Sequence, residues 1–139
     1  MSAKTWNTGM GLNHVGAYQV SGIPFASASI NCKTPSGGFE VVFPYVTRWV
    51  QVINKDVNND LRVGFSALGV VGTNYFTVAR SELNANAITH DTGRLELKLS
   101  SIFISGSQDV DIVAGLTKIN RVSTTTATGE NWSGSSGVG

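Results

Sequence analysis

Charge is scarce in this chain: Asp, Glu, Lys and Arg make up only 14% of its 139 residues, well under the ~25% of an average soluble domain. What charge there is nearly balances, ten basic residues against nine acidic ones, with no block of one sign. Binding nucleic acid through its phosphates takes a basic stripe, so nucleic acid is not an expected partner. Long apolar runs are missing as well. None approaches the ~20 residues that cross a bilayer as a helix, and a membrane is not expected either. The opening Met1-Ser2-Ala3-Lys4-Thr5-Trp6 lacks the charged-then-apolar layout of a signal peptide, which implies synthesis and first folding in a cytoplasm. Cysteine occurs once, at Cys32. A lone thiol cannot pair within the chain, in keeping with a reducing compartment, and the expectation is a buried, idle group.

With few charges and 41% hydrophobic residues, the surface must be rich in Ser, Thr, Asn and Gly, which suits a protein packed against neighbours. The apolar residues recur with period two almost everywhere, placing one set on each face of a strand. Leu95, Leu97 and Leu99 alternate with Glu96, Lys98 and Ser100 and run on into Ile102-Phe103-Ile104. Ser105 to Gln108 reads as a turn, after which Val110, Ile112, Ala114 and Leu116 alternate again, as in a hairpin. Further strands are expected over Phe39 to Phe43, Thr47 to Asn54, Leu61 to Ala67 and Asn74 to Ala79, with one at Gly16 to Ser21 that Gly22 and Pro24 interrupt. Gly69 and Gly72 read as brackets of a turn, and Ser81 to Ala87 is the one helix candidate. Six or seven such strands predict an all-β fold, an antiparallel two-sheet sandwich. Its core is expected to hold Trp49, Val63, Phe65, Leu95, Leu97, Leu99, Val110 and Ile112.

The ends differ. From Asn120 to Gly139 there are four Gly, four Ser and four Thr and no alternating core pattern, too little apolar surface for the segment to order itself. The expected organisation is an N-terminal arm over residues 1–15, a β-sandwich domain over 16–119 and a C-terminal arm over 120–139.

Catalytic chemistry finds few footholds. Glycosidases need two carboxylates facing each other across a cleft, but the acids here sit in loops (Asp56, Asp60, Asp91) or alternate onto a solvent face (Glu96, Asp109, Asp111). Asp56-Val57-Asn58-Asn59-Asp60 imitates the start of a calcium loop. Leu61 nevertheless stands where the loop needs glycine, and Ala67 where it needs a bidentate Glu. Gly64 to Gly69 is one residue too long for a nucleophile elbow, and no helix is expected after it. His14 and His90 are not spaced as zinc ligands, and Gly69 to Gly72 lacks the Lys of a phosphate loop. A non-catalytic protein without cofactor or metal is the expectation.

Aromatics offer another kind of site. Trp6 and Trp132 lie in the terminal segments, where no core explains them. A large aromatic buries ~150–250 Å² on entering a partner's pocket, so both are candidate partner-binding anchors. Val70, Val71 and Tyr75, beside the glycine-rich turn, are candidate contact residues for self-association. The six Trp and Tyr side chains could alternatively line a sugar site.

Three stretches carry a resemblance: Gly11-Leu12-Asn13-His14-Val15-Gly16-Ala17-Tyr18-Gln19-Val20-Ser21-Gly22-Ile23-Pro24, Phe43-Pro44-Tyr45-Val46-Thr47-Arg48-Trp49, and Asp111-Ile112-Val113-Ala114-Gly115-Leu116-Thr117. With the strands between them, about residues 11 to 119, the chain resembles the small decoration (cement) proteins of tailed-bacteriophage capsids. The resemblance implies a jelly-roll-like β-domain without catalytic residues, located on the virion's capsid surface. It further implies a homo-oligomer, with a trimer favoured over a dimer, that clamps adjacent subunits of the major capsid protein from outside. Similar folds serve in phage fibres, tails and lectins, so a carbohydrate- or receptor-binding domain of a fibre or tail is the alternative.

Overall fold

A computed structural model describes residues 22–33, 38–82, 88–126 and 129–130. Trp6, Trp132, His14, the strand expected at Gly16 to Ser21, all of the expected N-terminal arm and over half of the C-terminal one lie outside the described residues.

Among the described residues eight strands build two antiparallel sheets: β1 (Ile23–Ile30), β2 (Phe39–Val42), β3 (Tyr45–Asn54), β4 (Leu61–Gly64), β5 (Tyr75–Val78), β6 (His90–Asp91), β7 (Ser101–Ser105) and β8 (Val110–Asn120). The first sheet has the order β1-β8-β3-β6 and the second β2-β7-β4-β5. Both orders follow from one operation. A single long hairpin pairs β1 with β8, β2 with β7, β3 with β6 and β4 with β5. Rolling it up brings β8 beside β3 and β7 beside β4, which splits the ribbon into two facing sheets. This is the jelly-roll arrangement of an all-β sandwich. After β8 come a 3-10 turn, Arg121–Thr124, and a minimal ladder of Thr125–Thr126 with Gly129–Glu130.

The alternating residues meet between the sheets. Val50, Val52, Val110, Ile112, Ala114 and Leu116 come from the first sheet, and Val41, Leu61, Val63, Val78, Ile102 and Ile104 from the second. Phe43, at the β2–β3 corner, is fully buried and meets Phe25 edge to face at 5.1 Å. Burying side chains of this size contributes about 1.5–3 kcal/mol each.

Several expectations need correction. Pro24 does not interrupt a strand but lies inside β1, paired with Gly115. Among the described residues β1 is an edge strand, so a missing N–H on its outer side costs no ladder bond there. A bulge between Ser27 and Ile30 puts Ser29 at φ 56°, its N–H donating to the Asp111 carboxylate at 2.9 Å.

Ser105 to Gln108 is not a hairpin turn, because β7 and β8 belong to different sheets. The loop crosses between them, anchored by Ser107, whose hydroxyl donates to Asn54 Oδ1 at 2.8 Å and whose carbonyl accepts from Cys32 N at 2.8 Å. The Leu95–Leu99 alternation does not form a strand either. Leu95 makes one bridge to Val50, and then Leu97 N donates back to the Leu95 carbonyl at 3.0 Å. That tight turn leaves Leu97 38% exposed while Leu99 is buried. Trp49, Phe65 and Leu95, expected in the core, are half-buried, though Phe65 and Leu95 still pack against it.

β4 ends at Gly64, and a short helix follows over Ala67–Val71, capped by the Ser66 hydroxyl accepting from Gly69 N at 2.9 Å. Neither the strand through Ala67 nor the turn at Gly69–Gly72 is correct there. Ser81, the expected helix cap, instead donates its hydroxyl to the Asn54 carbonyl, and Glu82 bridges to Ile88; 83–87 lie outside the described residues.

Candidate functional site

The outer surfaces of the two sheets have different chemistry. In the first sheet, the side chains opposite to the core-facing Val50, Val52, Ile112 and Ala114 belong to Trp49, Gln51, Ile53 and Val113, joined on β1 by Pro24 and Ala26. Gly115 opposite both Pro24 and Trp49 adds no side chain, which keeps the surface low. The result is a mainly apolar outer face at whose margins the charges gather. Arg94 lies over the Trp49 ring at 5.6 Å and donates to Glu96 at 2.8 Å; Glu96 also pairs with Arg48. Lys55 stands 3.6 Å from Asp109 and 3.5 Å from Asp111. Such exposed pairs contribute little stability, but they outline the apolar strip. Trp49 carries the opposite parity to Val50 and Val52, and that was the sequence signal for its outward position.

On the second sheet, Arg62 pairs with Thr77 on one side and Ser105 on the other, so all three project from one row of the outer face. Tyr75, two residues from Thr77 along β5, points the same way. These four side chains, with Asp60 and Gly106 at the loop end, line an open cleft of about 400 Å³. The Arg62 guanidinium lies 4.5 Å over the Tyr75 ring. Asp60 Oδ1 accepts from Arg80 N at 2.9 Å, which fixes the carboxylate at the cleft's rim. Of this group only Tyr75 is singled out by sequence. The others are found from strand parity, once the sheet order is known.

The remaining candidates separate. Val71 is 46% exposed, as a contact residue must be. Val70 is fully buried and cannot serve. The short helix packs it onto the outer face of the second sheet over Gly64 and Gly38: a Cβ on Gly38, at φ +85°, would lie 2.6 Å from Val70 Cγ1. The exposed apolar residue of this helix is Leu68, at 84%.

The calcium-like loop is stapled by its own first residue. Asp56 is buried, and its carboxylate accepts from the N–H groups of Asn58 (2.8 Å), Asn59 (3.3 Å) and Gln108 (2.9 Å) and from Asn59 Nδ2 (2.8 Å). Burial pushes its pKa up, but these hydrogen bonds outweigh burial and hold it below the ordinary value. Beside it the fully buried Asn54 donates to the carbonyls of Asn59, Val78 and Ala79. The cluster ties three loops together at one end of the sandwich. Among the described residues no group of three or more His, Cys, Asp and Glu is arranged to hold a metal ion. Cys32 is buried, its Sγ donating to the Ser107 carbonyl at 3.2 Å, and burial pushes the thiol pKa up. The His90 ring contacts the Arg80 carbonyl through Nδ1 at 2.9 Å.

No protein-family model, curated protein or solved structure matches the chain.

Proposed function

We propose that the chain is a non-catalytic structural protein of a phage virion, a decoration subunit that binds the outside of the capsid shell as a homo-oligomer and bridges major capsid subunits. The observation that carries this reading is the apolar outer face of the first sheet, centred on Trp49 and margined by Arg94, Glu96, Lys55 and Asp111. An aromatic anchor inside a polar rim is the usual anatomy of a protein–protein contact. The jelly roll supports it by analogy of fold, since viral capsid domains use it, though lectins do too. Many identical copies on one shell make each modest contact count through multivalency.

The test is cosedimentation of the purified chain with empty shells assembled from its cognate major capsid protein. Trp49→Ser should reduce affinity about thirtyfold, corresponding to roughly 2 kcal/mol for an interface Trp. The melting temperature should move little, because Trp49 lies outside the core. A chain that never saturates shells overturns the proposal. The second reading, a carbohydrate- or receptor-binding β-domain of a phage fibre or tail, draws on the cleft around Tyr75.

A further inference from the structure

The cleft on the second sheet leaves most of its polar side-chain groups unengaged among the described residues. Among the described residues, the Arg62 side chain makes no ion pair or hydrogen bond; its guanidinium lies over the Tyr75 ring. The hydroxyls of Thr77, Ser105 and Tyr75 likewise have no hydrogen-bond partner among the described residues. Elsewhere on the surface arginines and lysines do find acids, as Arg48 and Arg94 do with Glu96 and Lys55 with Asp109 and Asp111. A guanidinium, three hydroxyls and a carboxylate converge here on one concavity of about 400 Å³, within the size range of small-ligand sites.

We infer that this cleft binds an acidic saccharide, with Arg62 taking the sugar carboxylate and Tyr75, Thr77, Ser105 and Asp60 taking the ring and its hydroxyls. Each group has a reason. The planar guanidinium offers two parallel N–H donors that match a carboxylate, and its place over Tyr75 holds it ready. The Tyr ring is electron-rich above and below its plane, so the face not taken by Arg62 attracts the weakly positive C–H groups of a pyranose. Thr77 and Ser105 lie on either side of Arg62 in the ladder, so hydroxyls can bond to them from a ligand whose carboxylate is on the arginine. Asp60 keeps Oδ2 for a sugar hydroxyl while Oδ1 is held by Arg80 N. The inference deepens the second reading above and does not depend on attachment to a capsid.

The experiment is a titration followed by the backbone amide signals of Tyr75, Thr77 and Ser105 in nuclear magnetic resonance, with D-galacturonic acid and D-galactose as paired probes. The acid should shift these signals saturably in the millimolar range, about tenfold more tightly than the neutral sugar, as expected for one charge-assisted pair. Arg62→Gln, an exposed position whose loss leaves the fold intact, should erase that preference. Arg62→Lys should restore it only partly, since the charge returns without the fork. Equal affinity for both sugars, or a preference that survives Arg62→Gln, overturns the acidic specificity and leaves the carbohydrate reading standing. If neither sugar moves these amides, both fall.

Discussion

Replacing Asp56 with Ala removes the staple of the β3–β4 loop, and the cost can be worked from its contacts. The carboxylate accepts four hydrogen bonds, three of them from backbone N–H groups of Asn58, Asn59 and Gln108. A hydrogen bond to a charged group is worth about 1.5–3 kcal/mol. The Asn58 and Gln108 residues are exposed, so water takes over part of the vacated bonding, and the sum is far below four full bonds. A loss of about 3 kcal/mol is expected, or a fall of roughly 10 °C in Tm. Asp56→Asn, which keeps one acceptor oxygen, should lose about half as much. The sign of the pH dependence follows from the lowered folded pKa. The carboxylate's contribution is fully present above its unfolded value of about 3.9 and disappears as pH falls through the folded value. Thermal melts from pH 7 to pH 2 should therefore converge for wild type and Asp56→Ala at the acid end. A Tm change under about 1 °C at pH 7 refutes the reasoning. So does a rise in wild-type Tm with millimolar calcium, which would mean that a cation, not the loop's own N–H groups, is the carboxylate's partner.

Two further predictions concern closely packed positions. Gly38→Ala should cost about 2 kcal/mol or more, because its Cβ meets Val70 at 2.6 Å and its φ is +85°. In a Val70→Ala background the cost should fall to the backbone part alone, so chemical denaturation of the double-mutant cycle must show coupling; additive losses would place the helix elsewhere. Cys32 should react with an aromatic disulfide reagent at pH 8 only as fast as the domain opens, since its thiol is buried and its pKa raised. Stoichiometric labelling within seconds in native buffer would contradict that burial.

Alternation made the sheet residues legible, and Val63, Val110 and Ile112 are buried as their pattern requires. What alternation could not supply was connection. The Leu95–Leu99 run has the same period as a strand, but the hydrogen bond from Leu97 N to Leu95 O diverts it, and no side-chain pattern encodes that. Ser105 to Gln108 has ordinary turn composition whether it joins neighbours in one sheet or crosses to the other. The short helix hid because Leu68, Val70 and Val71 look like strand residues; its cap, Ser66, was the available sign. Tyr75 was visible as an aromatic near a turn. The guanidinium above it comes from β4, and the two meet through strand pairing that local sequence does not reveal. Trp49 was assigned to the core on its size and apolar character, against its parity: it alternates with Val50 and Val52, so the two sets cannot share a face.

The pairing of β1 with β8 also governs how the protein is made. Ile23 has its ladder partner in Leu116, about ninety residues further along the chain, and β3 too waits for β8. A nascent chain on the ribosome therefore lacks one of its first sheet's two inner strands until β8 has been made. Folding cannot proceed strand by strand behind the exit tunnel as it can in a helical repeat. It must wait for β8 to emerge, and then runs on the slower timescale of long-range β topologies, ms to s. During that interval the uncovered edges of β1 and β3 are open to any other unfinished copy nearby, so yield should depend on expression rate and temperature more steeply than the stability of the finished domain would suggest.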